Sequence, residues 1–355
     1  MKIRYLFLLC LTALHARPKV LHLTFHRGCL NEFERIADFF DMELTSIMVQ
    51  GKPPKWLDGK TIGNGIYNVT HDMAESAWQL HKDFFDQFDV IITSDTAPLA
   101  RIFLQNSWKK PLIIWICNRF DYADLETARG RFPDQEYYSL FKQAALSRLV
   151  RIASYTPFEY MYAERKEVSL GTLTIKPCTL PVSQNIVSDL PQGMNKSETF
   201  FIPPYHNDTR YMNLTGKCKA LGIQAYSGRY NGPQDLIGFK GIIHIPYGLS
   251  NMALFENIQL GLIYFVPSKK FIKELAQKPN FWFQNKDMGG IDGSEWYLQE
   301  NAPLFVYFDS WDDLVHKVET LDYEEKRKIV LAFAKEHTTT MLSRWENIFK
   351  EFQLL

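Results

Sequence analysis

The sequence predicts an α/β protein of two doubly wound domains. Short apolar runs rich in β-branched residues alternate with amphipathic stretches along the whole chain, the pattern that builds parallel sheets covered by helices. Residues 241–268, GIIHIPYGLSNMALFENIQLGLIYFVPS, contain a complete strand–helix–strand unit. A chain of 355 residues is long for one core and suits two domains of ordinary size.

Composition narrows the class. An apolar content of 46% with 23% charged residues is that of a globular chain rather than a disordered one. Basic and acidic residues number 40 each, with no long run of one sign. A nucleic-acid partner calls for a basic face, so that class is set aside. Aromatic residues make up 14%, which supplies a large core first and surfaces for stacking rings or sugars second.

Residues 1–16 read as a signal peptide: Lys2 and Arg4, an apolar run over residues 5–14, then Ala16 before Arg17-Pro18. The run is too short to span a bilayer of roughly 30 Å. Sequons at Asn68, Asn195, Asn207 and Asn213 fit a glycoprotein of the secretory pathway, lumenal in the ER or Golgi, or exported. A false start would leave the protein cytoplasmic. Beyond Cys10, the four cysteines Cys29, Cys117, Cys178 and Cys218 show no metal-ligand spacing. Cys117 reads as a buried thiol, and Cys178 with Cys218 as a pair able to form a disulfide.

Residues 17–176 form the first domain. Strands fall at 20–25, 44–49, 89–93, 111–117 and 149–153, with helices at 31–40, 71–85, 98–105, 134–146 and 156–164. Thr70 caps the helix over 71–85, which turns Trp78, Leu80 and Phe84 inward. Residues 51–65, with two Pro and four Gly, are a loop. Ser94-Asp95-Thr96 and Asn118-Arg119-Phe120-Asp121 leave their strands. Residues 177–198 cross to the second domain, 199–337, whose strands are 199–202, 223–226, 242–245, 262–266 and 305–308. Its helices cover 210–221, 251–260, 269–277 and 311–321. Two closing helices follow, 322–335 and 338–352.

The unit at 241–268 organises the second domain. Ser250 caps a helix that Gly261 stops. Ligands of open parallel sheets bind outside the carboxyl ends of the strands. That edge carries His244, Tyr247, Ser250 and Asn251, with Glu256 two turns into the helix. The free N–H groups at the helix start form an anion site.

This stretch resembles the donor-binding motif of GT-B glycosyltransferases: a strand ending in a Pro-rich turn, a hydroxyl residue at the helix start, then a Glu before a Gly. The resemblance covers about residues 223–268, and the two-domain layout agrees over the rest. It implies two Rossmann-like domains facing across a cleft, with the acceptor in the first and a nucleotide-sugar in the second. A C-terminal helix, 338–355, crosses back to the first domain through Trp345, Ile348, Phe349 and Phe352. Ser250 and Asn251 then face the donor diphosphate and Glu256 its ribose. The position eight before Glu256, acidic in many retaining members, is Gly248.

A metal-independent transferase neutralises the leaving diphosphate with Arg, Lys and N–H groups. Arg229, in the loop with Gly228, Tyr230 and Asn231, is the first candidate and Lys240 the second; Arg229 reads equally as a surface arginine. His244 and Tyr247 line the donor pocket, or His244 is a core histidine. His26, at the first strand exit beside Arg27, is the candidate base, with Asp95 and Asp121 as rivals. Asn118, Arg119 and Asp121 face the acceptor. No metal and no tightly bound cofactor is expected; the nucleotide-sugar is a co-substrate, and the acceptor a glycan, lipid or protein. A bilobal periplasmic-type solute-binding protein is the alternative, and an epimerase or phosphorylase of the same fold a third reading.

Overall fold

Strands of the first sheet are β1 (Lys19–Thr24), β2 (Glu43–Met48), β3 (Val90–Thr96), β4 (Leu112–Arg119) and β5 (Val150–Ser154), all parallel, in the order β2-β1-β3-β4-β5. Between them run α1 (Arg27–Phe39), α2 (His71–Phe85), α3 (Arg101–Gln105) and α4 (Gln135–Ala144), with α5 (Pro157–Glu164) after β5. The computed structural model describes residues 17–49, 69–121, 134–180, 188–204, 212–278, 281–284, 286 and 289–355. The expected signal peptide and the 51–65 loop lie outside these residues.

The second sheet repeats the first. Its strands are β6 (Phe200–Ile202), β7 (Ala225–Ser227), β8 (Gly241–Ile243), β9 (Tyr264–Pro267) and β10 (Phe305–Phe308), parallel and ordered β10-β9-β8-β6-β7. Its helices are α6 (Leu214–Ala220), α7 (Met252–Ile258), α8 (Lys269–Leu275) and α9 (Trp311–Thr320). In each sheet the second strand lies outside the first, and the remaining three run away on the other side. The connections therefore reverse between β1 and β3, and between β6 and β8. A crevice opens at such a reversal because adjacent helices leave for opposite faces.

Strand alternation decides which face each residue covers. Leu21 and Leu23 pack with Ala74 and Phe85 of α2, Phe103 of α3 and Phe141 of α4. Val20, Ile92 and Ile113 pack with Phe33 and Ile36 of α1 on the other face. In α2 the expected inward set is partly overturned: Ala74, Ala77 and Phe85 are buried, whereas Leu80 is exposed. Leu80 is three residues from Ala77 but sits just outside the arc that meets the sheet. Trp78 and Phe84 pack at the margin of this core.

Two further expectations change. Ser94, Asp95 and Thr96 belong to β3 itself, with the β3–β4 register shifting between Asp95 and Thr96. The two closing helices are one, α10 (Tyr323–Glu351), started by Asp322, which accepts from the Glu325 N–H. No Gly or Pro interrupts residues 323–351. At the expected break, Thr338 Oγ1 donates to the Cys178 carbonyl at 3.1 Å.

Helix α10 spans roughly 44 Å at 1.5 Å per residue and joins both domains. Its first half packs on the second, where His337 stacks on Phe255 of α7 at 4.9 Å. Its second half packs on the first: Trp345 meets Phe33 edge-on at 5.4 Å and Trp115 at 5.6 Å, and Phe349 meets Phe40 at 5.2 Å. The crossing segment is pinned by Glu32, whose buried carboxylate accepts from the N–H groups of Cys178 (2.7 Å) and Thr179 (3.2 Å) and from Thr179 Oγ1. Lys176 pairs with buried Glu295 at 2.8 Å. All four described cysteines are free thiols, so Cys178 and Cys218 form no disulfide.

Candidate functional site

His26 follows β1 and Asp95 is the penultimate residue of β3, so the two flank the reversal point of the first sheet. His26 caps α1: its Nδ1 accepts the Gly28 N–H at 3.1 Å. Cys29, one turn in, puts its Sγ 4.0 Å from the same Nδ1. Asp95 is buried and holds φ at +75°, a left-handed backbone that costs a non-glycine residue free energy. The β3–β4 register shifts beside it, and Asp95 lines the cleft.

Residues leaving β8 form the opposite wall. Asn251, not Ser250, caps α7: its side chain accepts the Ala253 N–H at 2.9 Å. The Ser250 hydroxyl is thereby left without a partner, buried against the cleft. Tyr247 stacks on Trp282 at 6.4 Å, and its hydroxyl accepts from Asn251 Nδ2 at 3.4 Å.

The two walls enclose a cleft of about 260 Å³. The first domain contributes His26, Cys29, Asp95, Cys117, Asn118 and Tyr155. The second contributes Tyr247, Leu249, Ser250, Asn251, Met252 and Gln284. Gln284 Nε2 donates to Asn118 Oδ1 across the gap at 3.0 Å. Gly28 lets the domains approach, since a Cβ there would lie 2.9 Å from the His26 ring and 3.1 Å from Met252. The Tyr155 hydroxyl is fully buried, borders the cleft and has no hydrogen-bond partner. It faces Ser250 without reaching hydrogen-bond geometry, and burial pushes its pKa well up.

Charge in the cleft is set by burial and by the thiol. The contact with Cys29 raises His26 to about 9, with burial opposing it and Asp95 and Glu256 assisting. His26 is open to solvent in the cleft, which screens this pair. Its Nδ1 has two competing uses. As a neutral ring it accepts from Gly28; as an imidazolium it gives up that cap and faces the Cys29 sulfur.

The structure brings His26, Asp95, Asn118, Tyr247, Ser250 and Asn251 together, and leaves the other expected residues elsewhere. His244 lies one layer behind the cleft, buried on Trp296 at 4.5 Å; both ring nitrogens lack partners and burial lowers its pKa to about 3. Glu256 sits on α7 below Met252 and faces the first domain; burial raises it to about 7, Glu32 adds to this and His26 opposes it. Arg229 leaves β7, the edge strand, with its side chain 77% exposed and 3.8 Å from Asp189. Its neighbours are occupied locally: Gly228 lies against Tyr226, Tyr230 against Phe201 at 5.2 Å, and the Asn231 N–H donates to Asp235.

Lys240 precedes β8, at the opposite end from the cleft, with its ammonium over Phe200 and Tyr323. Asp121 is buried and accepts from the hydroxyls of Tyr138 (2.5 Å) and Tyr162 (2.8 Å), which removes it from the acceptor wall. Arg27 begins α1 as an exposed residue outside the cleft lining. Arg119 closes β4.

Solved structures share this architecture. Os79 from O. sativa, in complex with UDP, matches with a TM-score of 0.52 at 11% identity over 94% of this chain and 99% of its own. A ugt transferase from Siraitia grosvenorii, in complex with UDP, matches with a TM-score of 0.51 at 9% identity over 94% and 100%. The chain has the GT-B fold. No protein-family model matches the sequence, and no curated protein matches it.

Within this GT-B cleft, Tyr155, Cys29, Cys117 and Gln284 were missed in the sequence. Tyr155 follows β5 and precedes α5, so the strand-exit rule applied to His26 and Asp95 would have found it. Cys29 sits in the first turn of the helix that His26 caps. Gln284 lies in irregular chain with no local signal. Among the described residues, no helix is long and apolar enough to cross a membrane.

Proposed function

We propose that this protein is a metal-independent glycosyltransferase that moves a sugar from a nucleotide-sugar to a hydroxyl acceptor. One observation carries the reading: the reversal points of both sheets face each other across one cleft, with the proton acceptors His26 and Asp95 on the first-domain wall and an unpartnered hydroxyl on each wall, Tyr155 and Ser250. Both GT-B neighbours hold UDP, which makes a uridine nucleotide the first donor to test. The diphosphate would lie against Ser250, Asn251 and Tyr155, with Arg229 joining only if the donor draws the β7 exit inward.

The acceptor hydroxyl would lose its proton to His26 or to Asp95. His26 serves as base through Nε2 when its Nδ1 carries the ring proton toward Cys29. Asp95 serves without that rearrangement. Domain closure would exclude water from the transfer. Behind a signal peptide, such an enzyme would work in a secretory lumen supplied with nucleotide-sugars.

The test is a thermal-shift panel of UDP, GDP, ADP and CMP with their sugars. Ligand at about a hundred times its Kd stabilises by about 2.7 kcal/mol, a readily visible shift. A response to one nucleotide supports the reading. Silence to all of them, with a response to free sugars or amino acids, returns the protein to the solute-binding class.

A further inference from the structure

Two thiols border the same cleft, and neither touches the acceptor hydroxyl or the sugar in the proposed transfer, although Cys29 faces the ring of His26. Cys29 belongs to α1 and Cys117 to β4, so the fold and not the sequence makes them neighbours. Cys117 Sγ donates to the Trp115 carbonyl oxygen, 3.6 Å away, and borders the same cleft as Cys29. His26 Nδ1 lies 4.0 Å from Cys29 Sγ.

We propose that Cys29 and Cys117 form a thiol modification site open to peroxides, with Cys29 as the nucleophile and Cys117 as the resolving thiol. Reactivity follows the thiolate, and the surroundings favour one on Cys29. The Cys117 contact is the largest influence and brings Cys29 to about 6, with burial opposing and His26 and Ser94 assisting. Burial raises Cys117, which stays the proton donor of the pair.

In the first step the Cys29 sulfur attacks a peroxide oxygen. An S–O bond forms, the O–O bond breaks, and hydroxide leaves to take a proton and become water. Sulfur is oxidised to the sulfenic acid and the peroxide is reduced. In the second step Cys117 gives up its proton and attacks the Cys29 sulfur. The S–S bond forms, the S–O bond breaks, and a second water leaves. Two thiols and one peroxide become one disulfide and two waters.

Cys178 and Cys218 are internal controls. Cys29 is as buried as these two, at 1% exposure, but of the three only Cys29 borders the cleft; burial pushes Cys178 far up. The test treats the reduced full chain with equimolar hydrogen peroxide, blocks remaining thiols with N-ethylmaleimide and maps the peptides by mass. The expected product is a Cys29–Cys117 cross-linked peptide, with Cys178 and Cys218 still blocked by maleimide. Cys117→Ser should leave a dimedone-reactive sulfenic acid on Cys29, and Cys29→Ser should leave Cys117 unoxidised at the same dose. In the untreated native protein, Cys29 should alkylate at least about tenfold faster than Cys178. Equal oxidation of all four thiols, or a Cys29 no faster than Cys178, overturns the proposal. None of these readouts depends on transferase activity.

Discussion

Tyr155 and Ser250 each bury a hydroxyl with no partner. An unsatisfied buried hydroxyl costs about 1–3 kcal/mol, whereas a hydrogen bond it makes to a ligand returns about 0.5–1.5 kcal/mol. Tyr155→Phe and Ser250→Ala should therefore leave the ligand-free protein as stable or more stable, by up to about 1 kcal/mol. Each should also weaken nucleotide binding by roughly three- to tenfold. Urea midpoints and calorimetric titration check the two halves. Asp95 permits a cleaner separation. Asn tolerates a left-handed backbone as well as Asp does, so Asp95→Asn should keep the urea midpoint. If Asp95 is the base, transfer should fall by about 10²–10⁴-fold. A rate that survives in Asp95→Asn and climbs with pH toward the high value of His26 assigns the proton to His26 instead.

At the scale of elements, α7 shows how a short helix can be read correctly in place and differently in use. Its position after a Pro-rich turn was legible, but its cap moved by one residue to Asn251, which frees Ser250. Glu256 faces α1 rather than the cleft lining. Burial lifts its carboxyl from the usual 4.5 to about 7. Between those values the native state binds more protons than the unfolded chain, so this group's contribution to stability falls as pH rises through that window. Glu256→Gln should flatten that slope. Urea midpoints at about pH 5 and about pH 8 should lie closer together than in the wild type, with the gain at the higher pH. An unchanged difference between the two midpoints would remove Glu256 from the buried interface.

Across the whole molecule, α10 makes two domains into one cleft. Trp345 is fully buried between Phe33 and Trp115 of the first domain, although the first half of its helix packs on the second. Trp345→Ala should cost about 3–5 kcal/mol. Guanidinium unfolding should then show the domains separating before the second transition, and the nucleotide response should weaken because the walls lose their spacing. A single unshifted transition would mean that α10 does not hold the domains together.

Local patterns determined much of this protein. Strand alternation, helix caps and breakers act over a few residues, so the sequence alone specified ten strands, most helix starts and the strand exits where ligands bind. Thr70 caps the helix it was expected to cap. What local pattern cannot express is the order in which strands lie side by side. Pairing set β7 at the sheet edge and β8 at the reversal point, which removed Arg229 from the cleft and kept Ser250 in it. Pairing also carried Tyr155, Cys29 and Cys117 to one cleft and gave Asp121 to Tyr138 and Tyr162. Contacts between residues a hundred positions apart are settled by burying apolar faces against each other, and that free energy belongs to the assembled sheets rather than to any one stretch of chain.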